Sequence, residues 1–339
     1  MRRGCGCDDG VSASGEPAGR KRRNRLRSQA PSPKLASMRI AFVGDVHGCI
    51  YHCLAALLRL HARHPLDAIL QAGDLGAWPD KATEVREDPA SVWYAEDNPA
   101  QDHRYHLLDP GTALAGSLKR ARELLGQPIF FIRGNHEDAD WLRALDATAG
   151  LAAVDPLGLF TYVHDGTVLE LAGLPIAMLG GIEVPEGLPP QLQRNFTPHR
   201  FDETALRALR TRNDGADILV THDSPYAATR SWRGEPQGSK TLTDLSARLR
   251  PKWHVGGHYH TPVGPLYTEA TCYLGLSCLI YPLKPKWSRS DERHDPRGPV
   301  QPTSIAVLDT GGGRVEAVAA EITNGIDCAL DFDAFVASL

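Results

Sequence analysis

From residue 38 onward, short continuous apolar runs alternate with longer stretches in which apolar residues recur every three or four positions. The runs at 39–43, 68–71, 129–132, 218–220 and 253–255 predict strands buried on both faces. The stretches at 50–63, 112–125, 202–210 and 242–249 carry helical spacing, as in Leu54, Leu57, Leu58 and Leu60. Strand, helix and strand in that order predict βαβ units and an α/β fold. Between 157 and 179 the helical spacing stops, and runs at 160–163, 167–171 and 176–179 take over. Similar runs follow residue 271, at 272–276, 304–308 and 314–319, separated by Gly- and Pro-rich turns; together these supply strands for a second sheet. Two stretches read as long loops: 77–110, with Trp78, Trp93, Tyr94 and Tyr105 among many acids, and 284–301, charged and proline-containing. Loops of that length are either lids and substrate-contacting segments or disordered. No internal repeat is present.

Composition narrows the setting. A chain of 339 residues with 42% hydrophobic content buries a substantial core, as one large domain from 38 to 339. No apolar run is long enough to cross a bilayer and no signal-peptide stretch opens the chain, which predicts a soluble cytoplasmic protein without a membrane partner. Seven scattered cysteines with no CxxC pair argue against a disulfide framework and a structural zinc site. Cys49 and Cys53 fall one helical turn apart, as two buried thiols or a redox pair. Residues 1–37 differ from the rest: rich in Gly, Ser, Pro and Arg, without apolar periodicity, they predict a disordered basic tail. Nine Lys/Arg against three Asp/Glu give the tail about +6 and leave the body near −10, since the whole chain is −4. The tail reads as a polyanion-binding arm, a solvated extension or an over-long start ahead of Met38. An acidic body does not resemble a dedicated nucleic-acid binder.

The chemistry lies at the strand ends. Asp45-Val46-His47, Gly73-Asp74, Gly134-Asn135-His136-Glu137, Thr221-His222-Asp223 and Gly257-His258-Tyr259-His260 each follow a predicted strand. In an open α/β sheet those ends converge on one crevice. Each piece has an ordinary reading: Asp-x-His arises by chance, Gly-Asp is a turn, Asn135 is a helix N-cap, and His258 and His260 alternate as strand residues do. Together they supply three carboxylate or amide oxygens and four imidazoles, about what two adjacent transition-metal ions need. The imidazole of His136 remains for proton transfer. The mixture of imidazole with oxygen donors suits Mn, Fe, Zn or Co better than Mg.

This motif series, D-x-H, G-D, G-N-H-E, H and G-H-x-H, resembles that of the calcineurin-like metallophosphoesterases, over 38 to about 308. The resemblance implies a four-layer sandwich of two mixed β-sheets flanked by helices, with a dinuclear metal centre at the strand ends. Position by position, it implies that Asp45, His47 and His260 hold one ion and Asn135, His222 and His258 the other, with Asp74 bridging both. It further implies hydrolysis of a phosphoester by a hydroxide activated between two divalent ions, with His136 as proton donor to the leaving oxygen. Glu137 is then expected to orient His136 or a ligand imidazole, Asp223 to support a neighbour or lie at the surface, and Arg133 to bind a phosphate oxygen or form a surface salt bridge.

Placement within the family draws on other residues. Gly48 and Arg133 resemble the phosphoprotein phosphatases, but Leu75-Gly76-Ala77 stands where that branch carries sequence containing Asp-Arg-Gly. Trp141-Leu142, Gly180-Gly181-Ile182, Asp223-Ser224-Pro225 and Gly238-Ser239 resemble the lariat RNA debranching enzymes, whose first motif has Cys where Asp45 stands here. The sequence thus favours a phosphodiesterase acting on a nucleotide or other phosphorylated small molecule, or on an RNA or DNA end. A phosphomonoesterase is the alternative, and a non-catalytic scaffold of the same fold a third reading.

Overall fold

The computed structural model describes residues 37–88, 115–184, 187–190, 193, 196–231, 233–280 and 299–339. The tail to residue 36, Trp93, Tyr94, Tyr105 and most of 284–301 lie outside the described residues. The first half runs β1 (Arg39–Val43), α1 (Ile50–Arg63), β2 (Ala68–Gln71), α2 (Lys81–Glu87), α3 (Ala115–Leu125), β3 (Ile129–Phe131), α4 (Ala139–Ala144), β4 (Leu151–Ala153), β5 (Phe160–Val163), β6 (Val168–Leu171) and β7 (Leu174–Leu179). The second half runs α5 (Glu203–Thr211), β8 (Ile218–Thr221), β9 (Thr229–Arg230), β10 (Pro236–Gln237), α6 (Lys240–Leu249), β11 (Trp253–Gly256), β12 (Val263–Tyr267), β13 (Cys272–Gly275), β14 (Ile305–Asp309), β15 (Arg314–Ala317), α7 (Ala320–Thr323) and α8 (Phe332–Ala337). Helix starts follow short polar caps: Asp80, Asp138, Asp202, Ser239 and Asp331 each accept a hydrogen bond from a backbone N–H of the first turn. Asp138, and not Asn135, caps α4.

Two mixed sheets form the centre. The first has the order β15-β14-β1-β2-β3-β5-β4 and the second β12-β13-β11-β8-β7-β6. In each, four adjacent strands are parallel, β1-β2-β3-β5 and β13-β11-β8-β7, and antiparallel strands close the edges. The middle and late strand runs divide between the two sheets: β6, β7 and β13 join the second, as expected. β4, β5, β14 and β15 extend the first sheet, because β5 continues the parallel series beside β3 and β14 pairs with the free edge of β1.

Strand alternation assigns the layers. Ile40, Phe42 and Leu70 from the first sheet meet Met178, Ile218, Val220 and Val255 from the second in an inter-sheet core. Ala41, Val43 and Ile69 face the opposite way, onto Leu54, Leu57 and Leu118 of α1 and α3. On the far side of the second sheet Leu219 packs under Leu206, Leu209, Leu242 and Leu245 of α5 and α6. Helix, sheet, sheet and helix make the four expected layers, and burial on both faces is why these strands read as unbroken apolar runs. Cys49 and Cys53 are buried on α1's side of the first sheet.

Candidate metal centre

Each candidate residue lies in a turn that leaves a parallel strand at its C-terminal end. Asp45 and His47 follow β1, Asp74 follows β2, Asn135 to Glu137 follow β3, His222 and Asp223 follow β8, and His258 and His260 follow β11. The sheets pack so that these turns converge. Ligand atoms of Asp45, His47, Asp74 and His260 all lie within 4.8 Å of one another, as do those of Asp74, His222 and His258. Asp74 belongs to both groups, and Asn135 Oδ1 lies 3.2 Å from His222 Nε2.

The backbone does unusual work here. His47, Asp74, His258 and His260 have φ of 48°, 55°, 71° and 55°, a left-handed conformation that side-chain-bearing residues seldom adopt. It turns His258 and His260 onto one centre, whereas a strand would point both to one face at the sheet edge. Glycine permits the close approach. A Cβ on Gly134 would lie 2.2 Å from Asp74 Oδ1, and one on Gly257 2.2 Å from Asp45 Oδ1.

Hydrogen bonds leave the donor atoms aimed inward. Asp74 Oδ1 accepts from the backbone N–H groups of Asn135 and His136 at 2.7 and 2.8 Å. Its Oδ2 is buried without a hydrogen-bond partner, 3.3 Å from His222 Nε2 and 3.8 Å from His47 Nε2. Asp45 accepts from the His258 N–H at 3.0 Å, and its Oδ2 lies 3.1 Å from His260 Nε2. His222 Nδ1 donates to the Ala72 carbonyl at 2.8 Å, which turns Nε2 toward the cluster. His47 Nε2 and His260 Nε2 stand 2.8 Å apart.

The electrostatics describe a cavity that calls for positive charge. Burial opposes protonation of His222 and His136, yet the surrounding carboxylates together outweigh it, Asp74 first among them, and lift the two rings to about 10 and about 9. Burial pushes His258 down to about 3 and His47 well below the usual imidazole value, the neutral form that a metal ligand requires. With Oδ1 taken by two backbone N–H groups, Asp74 Oδ2 keeps both lone pairs between His47 on one side and His222 on the other and could serve both ions, while each imidazole nitrogen serves one. The orphaned Asp74 Oδ2, the convergent nitrogens and the pull on protons all fit a pair of divalent cations.

The surrounding residues hold the turns rather than the imidazoles. Glu137 was expected to orient His136 or a ligand ring; instead its carboxyl accepts from Gly134 N–H at 2.6 Å and Gly76 N–H at 3.3 Å, tying the second and third motifs together. Burial, then Asp74, raises its carboxyl to about 8. Asp223 is not at the surface: it is buried and accepts from Ser224 and Glu183 N–H groups at 2.7 and 3.0 Å. Arg133 forms neither a surface pair nor an open phosphate contact. Its side chain is 0% exposed, Nε and Nη2 lie 2.8 and 2.7 Å from Asp165 Oδ2, and Nη2 donates to the Arg200 carbonyl.

One partner is absent from the sequence reading. The segment read as the start of a long loop instead forms α2, whose C-cap Asp88 places Oδ2 2.5 Å from His136 Nδ1. Trp78 Nε1 donates to the His136 carbonyl at 3.1 Å and Asp138 N–H to the Ala77 carbonyl at 3.2 Å, so the segment docks on the Asn135-His136 turn. Asp80 ahead of Lys81-Ala82-Thr83-Glu84 was the available sign of a helix start. Nothing in the spacing pointed from Asp88 to His136.

The family model for calcineurin-like phosphoesterases matches residues 38–262. No curated protein sequence matches. Among solved structures, a phosphatase from Mycoplasma pneumoniae superposes with a TM-score of 0.42 at 14% identity, covering 83% of this chain and 92% of its own. GAP50, the anchor in the inner membrane complex of Plasmodium, gives 0.42 at 12% identity over 89% and 95%, and a 5′-nucleotidase from Candida albicans 0.34 at 12% over 71% and 45%. The family match spans well over half the chain and contains every motif that builds the site, so this protein belongs to the calcineurin-like phosphoesterases, metal-dependent hydrolases of phosphoester bonds.

Proposed function

We propose that the protein is a phosphodiesterase acting on a nucleotide or a nucleic-acid end. Asp45, His47 and His260 hold one divalent ion, Asn135, His222 and His258 the second, and Asp74 both. When bound, the two ions supply Lewis acidity to the phosphoryl oxygens and lower the pKa of the attacking water. Mn, Fe, Zn or Co suits the donor set.

Two observations support the diester reading: the His136–Asp88 pair, which suits an alkyl or ribose leaving group in either ester class, and the engagement of Arg133 with Asp165, which separates the classes. An alkoxide or ribose oxygen leaves poorly unless protonated. His136 has Nδ1 committed to Asp88, so Nε2 is the atom that delivers the proton, and the carboxylate favours the imidazolium that must do so. The charge balance adds support. A monoester dianion gains from an extra cation, but the arginine next to the Asn135-His136 turn is committed to Asp165. A diester carries one charge and needs no such partner. The acidic body favours a short nucleotide or strand end over duplex nucleic acid. Scattered cysteines without paired spacing support a cytoplasmic setting, and no described helix is long and apolar enough to cross a membrane.

The test compares bis(p-nitrophenyl) phosphate with p-nitrophenyl phosphate on metal-loaded protein. A higher kcat/KM for the diester is expected. Clear preference for the monoester replaces this reading with the phosphomonoesterase alternative.

A further inference from the structure

Beside the third motif, one short turn is fixed more firmly than its position demands. The 3₁₀ turn Thr197–His199 and the following Arg200 run along the surface, with Thr197 and Arg200 exposed. Three successive carbonyls of this turn nevertheless accept hydrogen bonds from three separate parts of the chain. Pro198 accepts from Arg143 Nη1 of α4 at 3.1 Å, His199 from the Ile182 N–H at 2.8 Å, and Arg200 from Arg133 Nη2 at 2.6 Å. Arg133 immediately precedes Gly134-Asn135-His136, and its own carbonyl accepts from the Gly181 N–H at 2.9 Å. The packing is close: a Cβ on Gly181 would lie 2.6 Å from the His199 carbonyl oxygen. Connecting segments at a surface are ordinarily the mobile part of a fold. A turn anchored at every carbonyl is the kind of support that a binding side chain needs.

His199 is the side chain so supported. It is half-buried, and the charges that act on its ring are those of Asp74, His136, Arg133 and Asp88. They set the ring at the metal centre, on the side of the proton donor. Burial, against the pull of Asp74, brings the imidazole down to about 4, so the ring is neutral. Nδ1 is buried, and Nε2 is the open nitrogen. A neutral ring carries one proton, and Nε2 donates or accepts according to the tautomer. A phosphoryl oxygen satisfies only the donating tautomer, whereas a hydroxyl satisfies both. The alcohol that leaves beside His136 is the part of a substrate that meets this atom.

Resting on the diester reading above, we propose that His199 is a specificity residue of the same centre, whose Nε2 pairs with a hydroxyl next to the departing oxygen, so that the leaving group is a ribonucleoside 3′-oxygen with its vicinal 2′-hydroxyl. Water adds to phosphorus, the bond from phosphorus to the 3′-oxygen breaks, and that oxygen takes its proton from His136. The products are a nucleoside and a 5′-phosphate. The 2′-hydroxyl is both donor and acceptor and is the group that separates RNA from DNA.

The test compares uridylyl-(3′→5′)-uridine with the analogue lacking only the 2′-hydroxyl of the 3′-linked nucleoside, on metal-loaded full-length protein, with the products separated by chromatography. Wild type is expected to give at least tenfold higher kcat/KM for the ribo compound, equivalent to about 1.4 kcal/mol, and to release uridine and uridine 5′-phosphate. His199→Phe keeps a ring but no nitrogen and is expected to bring the ratio to about one. His199→Gln restores a donor and an acceptor and is expected to keep part of the preference. Each variant is read as a ratio, which a general loss of activity does not move, and the wild-type ratio and product identity decide even where a variant does not fold. A ratio near one in wild type, a tenfold ratio that survives in His199→Phe, release of uridine 3′-phosphate, or no cleavage of either dinucleotide overturns the proposal. Bis(p-nitrophenyl) phosphate on the same preparation reports the diester reading separately: its turnover beside a ratio near one leaves that reading standing and removes only the role of His199.

Discussion

Replacing Asp88 with Asn tests the acid role of His136 without disturbing the metal-binding residues. Asn keeps an acceptor oxygen near His136 Nδ1 but removes the charge. A hydrogen bond to a charged group is worth about 1.5–3 kcal/mol and a neutral one about 0.5–1.5, so the substitution forfeits roughly 1–1.5 kcal/mol of support for the imidazolium. The pair is partly open, with side chains 31% and 16% exposed, which places the loss toward the lower end. At 1.36 kcal/mol per decade this is about a five- to tenfold fall in kcat. Proton donation adds a signature that simple loosening lacks. The fall should be largest for a diester with an alkyl leaving group and nearly absent for p-nitrophenolate, which departs without a proton. The assay is steady-state kcat across a leaving-group series for wild type and Asp88→Asn, with metal content measured on both. Equal losses for all leaving groups, or none, would refute the assignment of His136 as the acid supported by Asp88.

Three further outcomes are expected. His136→Ala should retain metal and lose on the order of 10²–10⁴ in kcat toward alkyl esters, whereas Asp74→Asn should lose metal as well as activity; elemental analysis beside kinetics separates the two. Gly257→Ala should also lose metal, because its Cβ would fall 2.2 Å from Asp45 Oδ1, and normal metal content in a folded variant would contradict the close-approach argument. For pH, His254 is buried neutral with its value depressed to about 3, so below pH 6.5 the unfolded chain binds a proton that the folded one refuses. Its contribution is complete above pH 6.5 and falls by up to about 1.4 kcal/mol per unit toward pH 3. Urea midpoints between pH 6.5 and 4.5 should therefore drop more steeply for wild type than for His254→Phe.

Most of the site was legible because its chemistry is written in local turns. Each ligand follows a strand buried on both faces, and such strands are recognisable as unbroken apolar runs, as with Arg39–Val43 before Asp45 and Ile218–Thr221 before His222. What local pattern does not encode is pairing between distant elements. The assignment of β5 and β14 to the first sheet depends on free strand edges, and no periodicity reports those. The partners of Glu137 and Arg133 escape the sequence for a related reason. Residue type identifies a carboxylate or guanidinium, but its partners, Gly76 and Gly134 for one and Asp165 for the other, are set by how turns from different strands stack. Asp88 shows the same limit, since its approach to His136 follows from the docking of Trp78 and Ala77 on the third motif. His258 and His260 alternate like strand residues, and only their left-handed backbone brings both to the centre.

The proposed centre holds two ions on Asp45, His47, Asp74, Asn135, His222, His258 and His260. The most direct measurement titrates metal-free protein with Mn²⁺ while following bis(p-nitrophenyl) phosphate hydrolysis and bound metal together. Activity should rise to a plateau at two ions per chain. A plateau at one ion, or hydrolysis that persists in metal-free protein, would contradict it.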